Sequence, residues 1–249
     1  MRLRAIACEV LARPLYLAAV HSPHVVDFEL VDRGLHNEPD VLRRALQERI
    51  DAVDEKRYDA IVLGYALCSN SSAGLVARGL PLVLPRAHDC ITLYLGSRAA
   101  YAEEFTGHPG TYYYTADYYE RSTDGSVVLG ATSDASLQKS YQEYVEKYGE
   151  ENAAYLMEFM GGWKAHYNRA AFIAMGVGTD EQAAAAAREQ ADRNGWSFEQ
   201  VQGDMVLLRK LIQGEWDEDF LQVAPGEAVA VTYDENIVRA CPFVGPPRR

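Results

Sequence analysis

The sequence predicts an α/β protein with a mostly parallel, doubly wound sheet in a three-layer arrangement. Short apolar segments alternate with helix-like segments near both ends of the chain, which is typical of a parallel sheet. Residues 59–67 are nearly all apolar, as expected for a strand buried on both faces. With 249 residues, 48% of them hydrophobic, the chain is long enough to bury a sizeable core. We therefore expect a single α/β domain over residues 1–249.

The first half of the chain contains most of the strand signals. Strands are predicted at 3–10, 24–31, 59–67 and 81–85. Helices are predicted at 14–20, at 40–55 and from residue 90 to about residue 95. Asp40 precedes a run of apolar residues at helical spacing, where its carboxylate would cap the first turn.

The second half is less regular. Residues 111–119 are tyrosine-rich and predicted to be extended, and 135–168 mostly helical with a break at Gly161-Gly162. A strand at 170–175, a helix ending near Asn194, and strands at 196–201, 205–211 and 228–232 complete the pattern. Two similar lobes, 1–105 and 165–240, with a helical, tyrosine-rich insertion at 106–164, are one arrangement that this pattern favours.

Composition excludes several classes of protein. The net charge is −12 and no stripe of Lys and Arg is present, so nucleic acid and anionic membranes are poor partners. No apolar run reaches the roughly 20 residues of a membrane helix, and the first residues lack the pattern of a signal peptide. Four cysteines are few for a disulfide scaffold, which favours a reducing, cytoplasmic location.

Three cysteines follow the ends of predicted strands. Cys8 lies near the end of the first strand, Cys68 directly after 59–67, and Cys90 just past 81–85 with His88 beside it. Because ligands bind outside the carboxyl ends of parallel strands, we expect the three thiols to converge. Thiolates and an imidazole suit zinc or another thiophilic ion, and an iron–sulfur cluster would use the same cysteines. Packing as small buried hydrophobes explains free cysteines equally well.

The metal ligands predicted are therefore Cys8, Cys68, Cys90 and His88, with His88 either a ligand or a partner of one. Three protein ligands and an open position are typical of a catalytic zinc site, and four ligands of a structural one. An enzyme that uses the metal to activate a small substrate or a water would carry out methyl transfer or hydrolysis. The alternative is a metal or cofactor carrier without turnover.

Further candidates surround this set. His36 precedes a helix and is predicted to act in catalysis, together with His88 and Tyr112. Asn70 and Ser71 follow Cys68 at a predicted helix start, where free N–H groups would bind an anionic cofactor, although capping explains them as well.

The tyrosine-rich insertion is predicted to cover the site as a lid. Tyr113 and Tyr167, with Tyr112, would then line a pocket beside the metal. Alternatively, these aromatic residues pack in the core or form an interface in a homo-oligomer. Cys241 lies past the last predicted strand, outside the site.

Several segments resemble the DUF1638 family of uncharacterised prokaryotic proteins. They are Ile6-Ala-Cys-Glu-Val10, Gly64-Tyr-Ala-Leu-Cys-Ser-Asn70, Pro85-Arg-Ala-His-Asp-Cys-Ile-Thr-Leu93, Gly110-Thr-Tyr-Tyr113 and the stretch Gly161–Asn168. The resemblance runs from about residue 3 to 235 and implies a shared site at the three cysteines and His88. It also implies a corrinoid or methyl-transfer protein as partner. Ser69 and Ser71 stand where the family pattern leads us to expect glycine.

Overall fold

The computed structural model describes residues 1–121, 145–146, 149–150 and 166–243. The chain forms two compact units. The first consists of Met1–Tyr101 with Asp204–Arg249, and the second of Ala102–Gly203. These bounds differ from those of the predicted lobes, because the chain returns to the first unit after residue 203. The single-domain organisation stays a prediction.

The described residues contain the following strands and α-helices. The strands are β1 (Arg2–Cys8), β2 (Val25–Val31), β3 (Ala60–Gly64), β4 (Leu82–Pro85), β5 (Thr111–Tyr114), β6 (Arg169–Ala174), β7 (Ser197–Gln202), β8 (Phe220–Val223), β9 (Glu227–Val231) and β10 (Val238–Pro242). The helices are α1 (Ala12–Val20), α2 (Pro39–Asp51), α3 (Cys90–Leu95), α4 (Arg98–Gly107), α5 (Ala116–Glu120), α6 (Asp180–Asn194) and α7 (Val206–Gln213). None of the described helices is both long and apolar enough to cross a membrane.

The first unit is built on a sheet with the strand order β2-β1-β3-β4-β8. The pairs β1–β2, β1–β3 and β3–β4 are parallel, and β8 adds an antiparallel edge. Every residue of β3 and β4 is buried, as expected for inner strands of a parallel sheet. The predicted α/β class with a parallel-rich central sheet is therefore confirmed, and the arrangement is consistent with three layers.

Gly64 allows β1 and β3 to pack closely at their carboxyl ends. It pairs with Ala7 in the register of the two strands. A Cβ atom at Gly64 would lie 2.6 Å from the Ala7 Cβ and 3.0 Å from a Leu15 methyl group. The glycine is thus required by close packing just before the segment that carries Cys68.

The second unit contains a parallel sheet with the order β5-β6-β7. The buried face of α6 consists of alanines, Ala183, Ala187 and Ala191, spaced four residues apart. Their small side chains pack in one apolar cluster with Phe172 of β6 and Tyr114 of β5.

The structure corrects several predicted elements. Residues 205–211, predicted as a strand, lie mostly in helix α7, because Leu207, Leu208, Leu211 and Ile212 form one buried helical face. Residues 111–119 divide into strand β5 and helix α5, since the Thr115 side chain accepts a hydrogen bond from the Tyr118 N–H and caps the helix. Strands β8 and β10 and helix α4 were not predicted. Most of the predicted helix at 135–168 and its break at Gly161-Gly162 lie outside the described residues.

Candidate functional site

The candidate site lies at the carboxyl edge of the sheet of the first unit. Strand β2 pairs on one side of β1, and the chain then crosses to place β3 on the other side. Such a reversal of strand order creates a crevice outside the carboxyl ends of the two inner strands, where α/β proteins bind ligands. Cys8 is the last residue of β1, and Cys68 follows β3 across this crevice.

Backbone hydrogen bonds join the segment after β3 to the segment after β4. The Leu67 N–H donates to the Ala87 carbonyl and the Cys68 N–H to the His88 carbonyl, both at 2.9 Å. These bonds extend the pairing of the two strands beyond their ends. They bring Cys68 next to the segment that leads into Cys90, the first residue of α3.

Burial differs among the three cysteines, since Cys8 is buried and Cys68 and Cys90 are half-buried. Burial raises the pKa of the Cys8 thiol to about 12, and burial followed by the charge of Cys8 raises that of Cys68 to about 12. Burial raises the pKa of Cys90 well above its usual value, with further contributions from Asp89, Cys68 and Cys8. The charges of Cys68 and Cys8 contribute to the raised pKa of Cys90, so the three side chains lie in one region of the first unit. Their meeting at one ligand site stays a prediction. In this environment all three are protonated at neutral pH.

The side chains of this cluster do not form a ready-made coordination site. Among residues 1–121, 145–146, 149–150 and 166–243, no group of three or more His, Cys, Asp or Glu side chains is arranged to hold a metal ion. All four cysteines of the chain are free. Their thiols are thus available as ligands, but three of them must turn toward a common point to bind one ion.

The backbone after β3 is strained. Cys68, Ser69 and Asn70 have φ angles of +45°, +55° and +66°, in the left-handed region that L-residues rarely occupy. Each such residue costs roughly 1–2 kcal/mol, less for asparagine. Such strain persists only where the surroundings enforce it, and it is concentrated at functional sites. Here an Arg43 Nη2 donates to the Asn70 carbonyl at 3.0 Å.

No helix begins after Cys68, so the predicted helix start is wrong. The left-handed residues turn the chain back on itself, and the Ser71 N–H donates to the Cys68 carbonyl at 3.1 Å. The Ser72 and Ala73 N–H groups donate to the Leu67 and Asn70 carbonyls. The side chain of Asn70 is exposed and Ser71 is buried. Their role in binding a cofactor stays a prediction.

Tyr65 and His36 extend the site on the side of Cys8. Tyr65 is 1% exposed. It directly follows Gly64, and Cys8 directly follows Ala7, the residue with which Gly64 pairs, so Tyr65 and Cys8 are neighbours across the two strands. The His36 ring stacks on the Tyr65 ring, with centroids 5.7 Å apart and an interplanar angle of 20°. Burial lowers the pKa of His36, and its Nδ1 lies 3.0 Å from the Arg33 carbonyl oxygen. Since a carbonyl only accepts, Nδ1 carries the proton and Nε2 of the neutral ring keeps its lone pair.

His88 and Asp89 differ in their surroundings. The His88 side chain is exposed, with its ring centroid 6.2 Å from that of Tyr101. Asp89 caps α3 by accepting a hydrogen bond from the Ile91 N–H at 3.0 Å, and it also accepts one from the Tyr101 hydroxyl at 3.3 Å. Burial raises the pKa of Asp89. The roles of His88 in metal binding and catalysis stay predictions. After burial, the charge of Asp89 also contributes to the raised pKa of Cys90.

The three candidate tyrosines belong to the second unit. Tyr112 is 4% exposed and packs against Tyr167 and Trp196, with ring centroids 5.0 and 5.5 Å apart. Tyr113 and Tyr167 line a cavity of about 360 Å³ within that unit. Tyr112 thus stands in the aromatic core of the unit. The proposed lid over the cysteines and the catalytic role of Tyr112 stay predictions.

Sequence reasoning missed Tyr65. It lies inside the apolar run 59–67, where an aromatic residue is typical of a buried strand. Its position is the signal that could have identified it. Of the three residues between the end of β3 and Cys68, Tyr65 is the one whose side chain carries a polar group.

The fold defines an α/β protein with a parallel-rich sheet, and Cys8, Cys68 and Cys90 lie at or after the carboxyl ends of β1, β3 and β4. A family model described as "Protein of unknown function (DUF1638)" matches residues 30–212, which is more than half of the chain. The chain therefore belongs to the DUF1638 family, as its motifs predicted. Cys68, His88 and Cys90 lie within the matched residues, and Cys8 precedes them. No curated protein and no solved structure matches the chain.

Proposed function

We propose that this protein is a metal-dependent enzyme that binds zinc, or another thiophilic divalent ion, through Cys8, Cys68 and Cys90. The observation that supports the proposal is the position of three cysteines at or after the carboxyl ends of three parallel strands of one sheet, with Cys8 and Cys68 contributing to the electrostatic surroundings of Cys90. A packing role alone gives no reason for three cysteines to follow neighbouring strand ends. Three thiolate ligands leave a fourth position for water or substrate, as in catalytic zinc sites.

The raised pKa values of the thiols couple their deprotonation to metal binding. Burial holds the pKa of Cys8 and Cys68 at about 12, so thiolates without a nearby cation are unfavourable there. A divalent ion supplies the missing positive charge, and its binding releases the thiol protons. The side chains would rotate toward the ion as they lose those protons.

The activity proposed is methyl transfer or hydrolysis on a small molecule. A bound zinc ion lowers the pKa of a coordinated thiol or water and thereby generates a nucleophile at neutral pH. His36 is suited to accept a proton near this position, because its ring is neutral and its Nε2 has a free lone pair. His88 would act as the fourth ligand or as a partner of the ligands. For methyl transfer, the partner proposed is a corrinoid or methyl-transfer protein.

The four free cysteines support a cytoplasmic location, since a reducing compartment keeps such thiols available. The acidic net charge of −12 argues against nucleic acid as a partner.

Elemental analysis of the full chain, purified without a polyhistidine tag, tests the proposal. We expect about one zinc, or one equivalent thiophilic ion, per chain. Single substitutions of Cys8, Cys68 and Cys90 by serine should each remove most of the metal. Cys241→Ser is the matched control, because Cys241 lies in strand β10 and should leave the metal content unchanged.

Two results would contradict the zinc enzyme. The first is an absence of metal in the wild-type protein that persists after reconstitution with zinc under reducing conditions. The second is iron together with acid-labile sulfide in brown, anaerobically purified protein, which would assign the same thiols to an iron–sulfur cluster.

A further inference from the structure

The hydroxyl group of Tyr65 is a buried polar group without a hydrogen-bond partner among the described residues. The side chain is 1% exposed. Leaving a buried hydroxyl unpaired costs roughly 1–3 kcal/mol. A phenylalanine would avoid this cost, so the hydroxyl at this position indicates a functional role.

The polar side chain beside Tyr65 is the Cys8 thiol. Gly64 pairs with Ala7 in the parallel register of β3 and β1, and Tyr65 and Cys8 are the next residues along the two segments. The two side chains are therefore neighbours at the carboxyl edge of the sheet. The pKa of Tyr65 is raised, first by burial and then by the charges of Cys8 and Cys68, in keeping with this placement.

The ring of Tyr65 is also held by a histidine. His36 stacks on it at an interplanar angle of 20°, and the imidazole is itself anchored through Nδ1 to the Arg33 carbonyl. This stack restricts the rotation of the tyrosine side chain. Fixed donors to a ligand atom orient that ligand and tune the metal.

We propose that Tyr65 is a positioning residue that donates its hydroxyl hydrogen to the Cys8 sulfur when that sulfur is a metal-bound thiolate. This inference rests on the proposed function and assigns a role to a residue outside the ligand set. The hydrogen bond selects the orientation of Cys8 in which its sulfur faces Cys68 and Cys90. It also withdraws electron density from the sulfur, and so adjusts the donor strength of one ligand among the three.

The experiment compares Co²⁺ binding to the metal-free full chain in the wild type, Tyr65→Phe and Tyr58→Phe. Tyr58 is the matched control, because it is also buried in the first unit but its hydroxyl donates to Asp27 at 2.8 Å. Phenylalanine at position 65 keeps the stack with His36 and removes only the donor. The two readouts are the dissociation constant and the energy of the sulfur-to-cobalt charge-transfer band.

We expect Tyr65→Phe to weaken Co²⁺ binding by about 10- to 100-fold, as is usual for loss of an outer partner of a ligand. The charge-transfer band should move to lower energy, because a thiolate without its hydrogen bond gives up an electron more easily. Tyr58→Phe should change neither readout. An unshifted band in Tyr65→Phe overturns the proposal, whether the affinity falls or not, because a structural role alone leaves the sulfur electronically unchanged.

A second readout separates this inference from the proposed function. If the wild-type protein binds no Co²⁺, the proposed function fails, and Tyr65 is then tested on the free thiol. The rate at which iodoacetamide alkylates Cys8 at pH 9 is measured by peptide mass spectrometry. Loss of the donor should slow this alkylation in Tyr65→Phe and leave it unchanged in Tyr58→Phe. An equal or faster rate in Tyr65→Phe overturns the proposed hydrogen bond.

Discussion

Replacing Ser69 by glycine should stabilise the protein, although the position adjoins the candidate site. Ser69 has a φ angle of +55°, which costs an L-residue roughly 1–2 kcal/mol. Glycine has no Cβ and escapes this cost, but it loses more backbone freedom on folding, worth roughly 0.5–1 kcal/mol. The net expectation is a gain of about 0.5–1 kcal/mol in the free energy of unfolding.

Ser71→Gly is the matched control. Ser71 is 0% exposed and is not among the residues with positive φ, so glycine there relieves no strain. It should instead lower the free energy of unfolding by about 0.5–1 kcal/mol, through added freedom of the unfolded chain. The opposite signs at two serines only two residues apart make the comparison specific to backbone conformation.

Urea unfolding of the metal-free protein, followed by circular dichroism in the presence of a chelator, measures both effects. The chelator is needed because a ligand that binds only the native state would add to its stability. A stability of Ser69→Gly equal to or below that of the wild type would refute the reasoning. So would an equal gain in Ser71→Gly, since that result would mean that the strain is not confined to the left-handed residues.

Three further predictions concern the same region. Gly64→Ala should lower the free energy of unfolding by about 1–3 kcal/mol, measured by urea unfolding, because its new methyl group would overlap Ala7; an unchanged stability would contradict the close packing of β1 and β3. Arg43→Gln should cost about 0.5–1.5 kcal/mol by losing the hydrogen bond to the Asn70 carbonyl, and a neutral result in the same assay would mean that this bond does not hold the turn. Burial raises the Cys8 pKa from an ordinary value of 9.0 to about 12, so the contribution of this thiol to the stability of the metal-free protein is complete below pH 9 and is lost as the pH rises toward 12. The loss of stability over that range should therefore be smaller in Cys8→Ser. Equal pH profiles of the two proteins would argue against the burial of the thiol.

The sequence was sufficient to predict that three cysteines follow the ends of parallel strands. That prediction needed only the alternation of strands and helices and the rule that parallel strands end at one edge of the sheet. The pattern of residues indicates this position for each of the three cysteines, which lie at or just after a strand end: Cys8, Cys68 and Cys90. The family assignment followed from the same segments.

Other features depend on contacts that a linear pattern does not contain. The left-handed conformation at Ser69 was not predictable, because serine seldom adopts it and the surrounding turn imposes it. The role proposed for Tyr65 depends on its contact with Cys8, which lies in a strand 57 residues earlier in the sequence. Residues 205–211 were assigned the wrong element, because a short apolar run fits a strand or a helix until its partners are known.

X-ray absorption at the metal edge of the purified full-length protein tests the central claim most directly, because it reports the atoms bound to the metal. For a zinc site made by Cys8, Cys68 and Cys90, we predict three sulfur ligands at about 2.3 Å and one lighter ligand at about 2.0–2.1 Å. Serine at any of the three positions should reduce the sulfur count, while Cys241→Ser should preserve it. A metal bound only by nitrogen and oxygen, or a sulfur count that the three substitutions leave unchanged, would contradict the assignment.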